Sequence, residues 1–399
     1  MRGRSDPMIY AGVDIAKMDH VVDAVDESGN QVAKAMPFKN SEAGFERCVA
    51  WLEGVAEDPA DVAVAMEATG HYWMACFTYL TARGYSVVVV NPVHVRAVRK
   101  IKNLSGVKND RIDAWLIAET LRIGEYDPTR LATDELQSLK TLTRYRQSIR
   151  DSIAEAKTKA TCLMDSYFPE YAGLFSDMFG AASMAVLARA CVPSEVSKTR
   201  ASTLAKLMSD ASRGRLGAEK AAELKAAAKS SVGIRLGEDA AAFEIREYVD
   251  LIGLLEAKAA RADAQIESLL MRIEPLILTI PGVSVTLGAQ IVAEIGDVRR
   301  FKSAASIVKY AGLNSGVSQS GKFEAEGEPI TKAGSPYLRR AIWLAADCAR
   351  RFDPKLRGFY EKKRAEGKCH RVAVTAVARK LCHVVYAVMR DQVPYDPER

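Results

Sequence analysis

The chain lacks the residue patterns that build disulfide frameworks, soft-metal sites and membrane spans. Its seven cysteines are scattered without a C-x-x-C pair, and none of its five histidines lies four residues from another. A disulfide scaffold and a Cys/His zinc site are therefore disfavoured, and a reducing, cytoplasmic location is expected. No uninterrupted apolar run approaches the ~18 residues of a spanning helix, and residues 1–10 lack the apolar core of a secretory signal. We expect no membrane partner, and we expect any metal to be a hard cation held by carboxylates.

What the chain does have is an ordinary globular composition with unevenly distributed charge. Apolar residues make up 48% and charged residues 27% of its 399 positions, which excludes disorder throughout and allows two or three cores. The net charge is only +6, yet residues 331–380 hold 14 Lys or Arg against 4 Asp or Glu, and a second basic cluster spans residues 96–111. Such clusters favour contact with a phosphate backbone, although a solvated helix face has the same pattern. The candidate nucleic-acid-binding residues are Arg96, Arg99, Lys100, Lys102, Lys108, Lys322, Lys332, Arg339 and Arg340.

The first 130 residues predict an α/β domain with a mixed sheet. Strands are predicted at residues 9–13, 20–25, 31–38, 62–66 and 85–90, and helices at 42–53, about 72–83 and about 110–122. Asn91-Pro92 is expected to end the last strand and to open a basic loop. Strands followed by strand–helix alternation are typical of α/β folds.

From about residue 135 the strand signal disappears and long helices are predicted. Apolar residues at steps of three and four run from Leu139 to Leu163 and again from Tyr248 to Ile273. Sustained 3.5-residue periodicity predicts two long helices, paired as a coiled-coil hairpin or across a dimer. The segment between them, thin in large apolar residues, is expected to be a peripheral helical insertion. The C-terminal third is mainly helical, apart from a Gly/Ser-rich loop at residues 314–334.

Four carboxylates occupy positions where they can converge. Asp14 and Glu67 end apolar strands, and Asp110 and Asp113 are three residues apart at a helix start, so they share a face. Clustered carboxylates repel one another unless cations compensate them, and two divalent ions can clamp the attacking and leaving oxygens of a phosphodiester. Taken singly, each acid is also compatible with a helix cap or a surface position.

The loop around Ser320 contains a second constellation. Gly316 to Lys322 nearly matches the P-loop spacing, but Phe323 stands where a magnesium-ligating hydroxyl is required and no helix follows, so an NTPase is rejected. A serine hydroxyl becomes a nucleophile only when a base or metal assists its deprotonation. From the residues alone, a flexible polar loop is the favoured explanation of Ser320.

These residues also carry a resemblance to the IS110-family transposases of bacterial insertion sequences, which include Piv-type invertases. The matching segments fall in family order along nearly the whole chain. They include Tyr10-Ala11-Gly12-Val13-Asp14, Met66-Glu67-Ala68-Thr69-Gly70, Lys108-Asn109-Asp110-Arg111-Ile112-Asp113, Ala311-Gly312-Leu313-Asn314, Gln319-Ser320-Gly321 and Thr331-Lys332-Ala333-Gly334.

The resemblance implies a fold and a domain order. It implies an α/β RNase H-like (RuvC-like) metal-binding domain at residues 8–130 and a coiled-coil region at 131–275 that contains the insertion at about 165–240. A mainly α C-terminal transposase domain with the serine loop is implied at 276–399. In this assignment Asp14, Glu67, Asp110 and Asp113 are catalytic ligands for Mg²⁺ or Mn²⁺, and Ser320 is the catalytic nucleophile.

The resemblance also implies an activity and partners. The expected activity is site-specific DNA recombination, guided by a structured bridge-type non-coding RNA, in which Ser320 displaces a 3′-oxygen and leaves a covalent 5′-phosphoserine. The expected partners are donor and target double-stranded DNA, the guide RNA, and further copies of the chain. These copies form a homodimer through the coiled coil and a dimer of dimers in the synaptic complex, in the bacterial cytoplasm at the nucleoid.

Two other functions stay open at this stage. One is a RuvC-like metal-dependent nuclease or Holliday-junction resolvase in which water attacks and Ser320 is incidental. The other is an architectural nucleic-acid-binding protein whose acids are structural caps.

Overall fold

The fold is described from a computed structural model. It describes residues 9–398 except 68, 69, 71, 105, 107, 108, 125, 127, 128, 130–132, 316–318, 321, 322 and 325–328, and for residues 319, 320, 323 and 324 it describes the backbone only. The chain forms two compact units, Met1–Leu131 and Ala132–Arg399. The boundary expected near residue 275 lies inside the second unit, and the three-domain division stays a prediction.

The N-terminal unit is built on a five-stranded mixed sheet, which confirms the expectation of an α/β fold. Its strands are β1 (Ile9–Asp14), β2 (Asp19–Asp26), β3 (Met36–Lys39), β4 (Val62–Glu67) and β5 (Ser86–Val90), in the order β3-β2-β1-β4-β5. β2 runs antiparallel to β1 and β3, whereas β4 runs parallel to both β1 and β5. The predicted third strand was too long, because Gln31 makes only an isolated bridge to Val25.

Five helical segments surround this sheet. α1 (Glu42–Glu53) follows β3, a 3-10 turn (Pro59–Asp61) precedes β4, α2 (Trp73–Ala82) precedes β5, and α3 (Pro92–Ile101) and α4 (Asp110–Ile123) follow it. The expected basic loop after Asn91 is therefore mostly a helix. Its start is explained locally, since the Asn91 side chain accepts a hydrogen bond from the amide of Val93 and Pro92 occupies the first helical position, where its missing N–H costs nothing.

The alternation of side chains along each strand sorts the sheet into two faces. Val13, Val64 and Met66 lie on one face in a cluster with residues of α1 and α2, whereas Ala63 and Ala65 lie on the other face with residues of α3 and α4. Because successive residues alternate, Gly12 and Asp14 of β1 share the second face with Glu67 of β4.

Gly12 lets α4 approach the sheet more closely than any side chain would allow. A Cβ atom at Gly12 would overlap the carbonyl oxygen of Ala114 and the amide nitrogen of Ala118. The main chain of α4 therefore rests directly on β1, and Ala114, Leu116, Ile117 and Ala118 are almost completely buried. This contact fixes the start of α4 above the C-terminal end of β1.

The second unit is dominated by two long antiparallel helices, α5 (Asp134–Tyr167) and α10 (Glu238–Ile273). Ion pairs that cross between them set their direction, with Glu135 beside Arg272, Arg146 beside Asp263 and Arg150 Nη1 2.6 Å from Glu256 Oε2. Ile149, Ile153 and Ala156 of α5 pack with Ile252 and Ala259 of α10 in a buried strip. The two helices thus pair within one chain, while coiled-coil dimerisation stays a prediction.

The segment between the long helices is helical, as expected, and it forms a lobe with its own core. It contains a 3-10 turn (Pro169–Gly173) and helices α6 (Ala181–Arg189), α7 (Pro193–Lys198), α8 (Ala201–Ser212) and α9 (Ala218–Ser230). Its apolar side chains form a cluster of their own with the adjoining ends of α5 and α10, in which Phe168, Tyr171 and Leu187 are fully buried. A few well-placed aromatic residues supply the core that the average composition does not suggest.

The C-terminal part of this unit is a helical bundle with one two-stranded ribbon. Its elements are α11 (Val285–Ile295), α12 (Ala304–Tyr310), β6 (Gln319–Ser320), β7 (Phe323–Glu324), α13 (Pro336–Phe352), α14 (Pro354–Ala365) and α15 (His370–Asp391), with 3-10 turns at Leu276–Thr279 and Val298–Arg300. By length and apolarity alone, α15 is the one described helix that could cross a membrane. Its face formed by Val374, Val377, Leu381 and Val385 is completely buried in the bundle, as in the core helix of a water-soluble domain.

Substituting Gly12→Ala is expected to weaken the N-terminal unit. The added methyl group overlaps main-chain atoms of α4, which cannot rotate away, so the free energy of unfolding should fall by about 1–3 kcal/mol, as for an overpacked core. Urea unfolding combined with hydrogen exchange at β1 and α4 measures this change. Gly253→Ala is the control, since nothing lies within 4 Å of its Cβ position in α10; it should be neutral or stabilising by up to about 1 kcal/mol. Equal stability of the Gly12 variant would contradict the direct contact.

Candidate metal centre and serine loop

Two of the four candidate carboxylates are placed together by the sheet itself. β1 and β4 are parallel neighbours in which Val13 pairs with Met66, so Asp14 and Glu67 follow at the same C-terminal edge. Both are partly buried and share the face covered by α3 and α4. Ligand and active sites of open α/β sheets lie at this edge, outside the carboxyl ends of the strands.

The other two carboxylates come from the first turn of α4. Asn109 caps this helix by accepting a hydrogen bond from the amide of Arg111, so Asp110 and Asp113 are one turn apart near the helix N-terminus. Asp110 is exposed, whereas the side chain of Asp113 is only 17% exposed. Because Gly12 pins α4 to β1, both acids are carried toward the edge where Asp14 lies.

The carboxylates at this edge of the sheet are stabilised by nearby positive charge. Burial raises the pKa of Glu67, the charge of Asp113 raises it further, and the guanidinium groups of Arg96 and Arg99 oppose both effects. The carboxylate of Asp113 is ion-paired with Arg99 of α3. Arginines from α3 therefore supply positive charge beside these carboxylates.

The donor atoms are of the type that a hard divalent cation prefers, but the described side chains do not surround such an ion. Carboxylate oxygens are the ligands that Mg²⁺ and Mn²⁺ prefer. Within the described residues, however, no three His, Cys, Asp or Glu side chains already converge enough to hold a metal ion. The ion pair between Arg99 and Asp113 explains this in part, because it directs one carboxylate of the set to a guanidinium.

The candidate nucleic-acid-binding residues differ in the hydrogen bonds and ion pairs that they make within the protein. Lys102 donates to the fully buried carboxylate of Glu119, with 2.5 Å between Nζ and Oε1, and Arg99 is held by Asp113. Arg96 donates to the carbonyl oxygen of Pro92, and Lys100 is exposed. Lys108 lies outside the described residues. Of this helical set, Arg96 and Lys100 are exposed.

The C-terminal candidates show a similar division. Arg340 is paired with Asp151 of α5 at 2.8 Å between Nη1 and Oδ1, and Arg339 donates to two main-chain carbonyl oxygens. The main chain of Lys332 adopts a left-handed conformation, with φ at 53°. Lys322 lies outside the described residues. Arg339 thus has a clear structural role that its sequence position did not reveal.

Ser320 lies in β6, and its backbone pairs with Phe323 of β7 in a short antiparallel ribbon. Its side chain lies outside the described atoms. The stem that carries this ribbon is well defined: Ser315 bridges Ile330, the Thr331 amide donates to the Asn314 carbonyl, and the two side chains of Thr331 and Asn314 are hydrogen-bonded at 2.8 Å.

Two arginines from neighbouring helices fasten the two sides of this stem. Arg379 of α15 donates to the carbonyl oxygen of Leu313 at 2.7 Å and to the hydroxyl of Ser315 at 2.6 Å. Arg339 of α13 donates to the carbonyl oxygens of Ala311 and Lys332, each at 3.1 Å. No sequence pattern indicated the role of Arg379, because a lone arginine in a helix is normally solvent-facing.

A buried carboxylate anchors the far end of the stem. The side chain of Glu294 on α11 is fully buried, forms a two-pronged ion pair with Arg144 of α5 at 2.6 and 3.0 Å, and accepts a hydrogen bond from Ser335 at 2.8 Å. The same Ser335 hydroxyl caps α13 by accepting from the amide of Leu338. The stem therefore joins α5, α11 and α13.

Comparison with known families identifies two transposase models that match this chain. Residues 11–169 match the IS110-type DEDD model, described as a transposase, and residues 274–361 match a second model, described as the transposase IS116/IS110/IS902 family. The chain belongs to the IS110 family of transposases. It is a DNA transposase or recombinase whose substrates are DNA. The segment that matches the family's RuvC-like DEDD domain covers the N-terminal unit from residue 11 and continues through α5, and this domain suggests dependence on a divalent metal.

Several relatives align with this transposase from end to end. The insertion element IS900 uncharacterized 42 kDa protein of Mycobacterium paratuberculosis is 26% identical, over 98% of this chain and 97% of the relative. The mini-circle putative transposase for IS117 of Streptomyces coelicolor is 24% identical, over 98% and 96%. The pilin gene-inverting protein of Moraxella bovis is 23% identical, over 97% of both chains.

Removal of Arg99 is expected to strengthen divalent-metal binding by this transposase. A cation that binds Asp113 must displace the guanidinium, and Arg99 also repels a second positive charge near Glu67. Arg99→Gln should therefore bind Mn²⁺ about tenfold more tightly, a modest part of the Coulomb energy at such distances. Isothermal titration of the metal-free protein measures this.

The control for this experiment is Lys100→Gln on the exposed side of α3, which should change metal affinity much less. If Arg99→Gln weakened Mn²⁺ binding instead, Arg99 would be holding Asp113 in a binding conformation and not competing for it.

Proposed function

We propose that this protein is an RNA-guided recombinase that cuts and exchanges DNA strands through a covalent 5′-phosphoserine at Ser320. Asp14, Glu67, Asp110 and Asp113 are the proposed ligands of Mg²⁺ or Mn²⁺. The observation that carries the proposal is the placement of Asp14 and Glu67 at one edge of adjacent parallel strands, with the acidic first turn of α4 fixed beside them through Gly12.

The proposed chemistry is a transesterification that conserves the phosphodiester bond energy. The Ser320 hydroxyl attacks the scissile phosphorus, a P–O bond to serine forms, and the bond to the 3′-oxygen breaks. The serine proton passes to one of the four carboxylates, and the carboxylic acid so formed returns it to the departing 3′-oxygen. A bound divalent ion supplies charge neutralisation for the phosphate. Reversal with a different 3′-hydroxyl exchanges strands, which agrees with the rejection of an NTPase motif in the sequence.

The serine loop supports this proposal through the rigidity of its stem. A nucleophile must be held close to attack geometry to react efficiently, and sites are held more precisely on packed elements than on free loops. Arg339, Arg379 and Glu294 tie the stem to three helices of the bundle. The proposal requires Ser320 and the carboxylates to meet at one phosphate, in one subunit or between two.

The proposed partners follow from the family resemblance and from charge. We infer a structured non-coding RNA as guide, donor and target duplexes as substrates, and a homodimer through the long helices that pairs into a tetramer at synapsis. Exposed cations such as Arg96 and Lys100 can contact phosphates without breaking internal ion pairs. A protein with this role works in the bacterial cytoplasm, at the nucleoid.

Ser320→Ala is expected to abolish covalent protein–DNA adducts while nucleic-acid binding persists. The assay combines the protein, the guide RNA, Mg²⁺ and two end-labelled DNA substrates, and scores denaturant-resistant adducts and recombinant product. Omission of the RNA should remove both signals.

Ser318→Ala in the same loop is the matched control and should retain adduct formation. Full cleavage by Ser320→Ala with a free 5′-phosphate would instead favour a RuvC-like nuclease that uses water. Unchanged recombination by Asp14→Asn would remove the metal assignment and favour an architectural protein.

Arg379→Met is expected to slow adduct formation at least tenfold. The substitution removes both hydrogen-bond donors to the loop stem but keeps a long apolar side chain at this position of α15. Since Arg379 acts through the loop, DNA affinity should hardly change, and Arg379→Lys should recover part of the rate. Arg371→Met, exposed on the same helix, is the control.

The thermal midpoint of each variant separates positioning from folding. Loss of two hydrogen bonds from a charged group should cost no more than about 3 kcal/mol each, so the bundle should remain folded at the assay temperature. A normal adduct rate in Arg379→Met would show that the stem needs no such fastening.

A further inference from the structure

A cavity of about 350 Å³ lies in the N-terminal unit beside α4. It faces a different side of this helix from Asp110 and Asp113. Its lining includes Asp23, Gln31, Lys34, Arg111, Ile112 and Trp115. Residues 111, 112 and 115 follow one side of α4, whereas residues 110 and 113 point about a third of a turn or more away. The cavity is therefore a separate site that shares a helix with the candidate metal centre.

The floor of the cavity contains a buried carboxylate that hydrogen bonds hold in place. Asp23 is 2% exposed and pairs with Gly12 in the β1–β2 ladder, on the face where α4 approaches. Its Oδ1 accepts hydrogen bonds from the amide of Ala24 at 2.8 Å and from Gln31 Nε2 at 2.9 Å. Its Oδ2 accepts only from Gln31 Nε2 among the described contacts, at 2.9 Å. One lone pair of Oδ2 therefore remains available to a further donor.

The wall of the cavity contains an indole ring that the surroundings hold in place. The ammonium group of Lys102 lies 5.4 Å from the centre of the Trp115 ring, and the same ammonium is bound to buried Glu119. Ile112 lies on the same side of the helix as Trp115 and adds apolar surface. Aromatic rings held in this way are stacking platforms for nucleobases.

Two cations complete the site at its rim. Lys34 and Arg111 line the cavity, and the Arg111 side chain is exposed at the first turn of α4. The site thus combines an aromatic wall, a buried acceptor and two cations, which suit the ring of a base, its amino group and a phosphate.

We propose that this cavity binds one unpaired nucleotide of a nucleic-acid strand, with the base beside Trp115, its exocyclic amino group on Asp23 and its phosphate between Lys34 and Arg111. A carboxylate accepts from the amino group of cytosine but repels the carbonyl oxygen at the same position of thymine or uracil. The site therefore prefers cytosine to thymine or uracil. It depends on the protein's binding to nucleic acid, and it is independent of Ser320 and of the metal centre.

The experiment measures binding of labelled 12-mers to the full-length protein by fluorescence anisotropy at fixed salt. The probes are dC12, dT12, their ribose equivalents rC12 and rU12, and a mixed-sequence duplex. We expect about fivefold tighter binding of a cytosine strand than of the thymine or uracil strand. The deoxyribose or ribose series that shows the preference identifies DNA or RNA as the source of the nucleotide.

Variants of the wall and the floor test the two contacts separately. Trp115→Ala should weaken binding of the preferred strand at least fivefold, as loss of one stacked base does, while duplex binding changes less than twofold. Trp115→Phe keeps the packing and most of the affinity. Asp23→Asn should remove the preference for cytosine without a general loss of binding. Arg111→Ala should weaken binding of the preferred strand, and Arg47→Ala, which removes an exposed cation on α1, is its charge-matched control.

Three results would overturn the proposal. One is equal affinity for cytosine and thymine or uracil strands in both series. Another is unchanged single-strand affinity in Trp115→Ala. The third is equal weakening of duplex and single-strand binding in that variant, which would show a general effect on the fold.

Discussion

The N-terminal unit depends on a close main-chain contact between β1 and α4. Gly12 lacks the Cβ atom that would overlap Ala114 and Ala118, so the helix lies directly on the strand. This contact orients both sides of the helix start. Asp110 and Asp113 are carried toward the strand ends on one side, and Arg111 and Trp115 form the cavity with Asp23 on the other. A side chain at position 12 would push the helix away from the strand and would alter both arrangements together.

Charge compensation is the second constraint on this protein. The fully buried carboxylates of Glu119 and Glu294 are satisfied by Lys102 and Arg122 and by Arg144, respectively. Burying an unpaired charge is costly, so these pairs stabilise the positions of the elements that carry them. Asp113 differs, because its partner Arg99 belongs to a partly exposed edge where we propose that a divalent cation replaces it. The same kind of ion pair thus holds structure in the core and lies at the proposed metal site at the sheet edge.

Much of the fold could be predicted from the sequence because its signals are local. Short apolar runs located β1, β2, β4 and β5, and three- and four-residue steps located the two long helices. α3 was missed because Pro92 was interpreted as a stop, although an asparagine followed by proline is also the start of a capped helix. The helical lobe at residues 165–240 was expected to be peripheral, since the core it shares with α5 and α10 is invisible in average composition.

By itself the sequence determined the family, the α/β start, the helical remainder and the chemical types of the candidate site residues. These follow from motif order and short-range periodicity, which need no knowledge of contacts between distant residues. Only the tertiary structure decided which groups meet: Asp14 with Glu67 through parallel pairing, Arg99 with Asp113, Arg379 with the serine stem, and Asp23 with Trp115 around a cavity. The physical reason is that such partners are brought together by strand order and helix packing, and both depend on the whole chain.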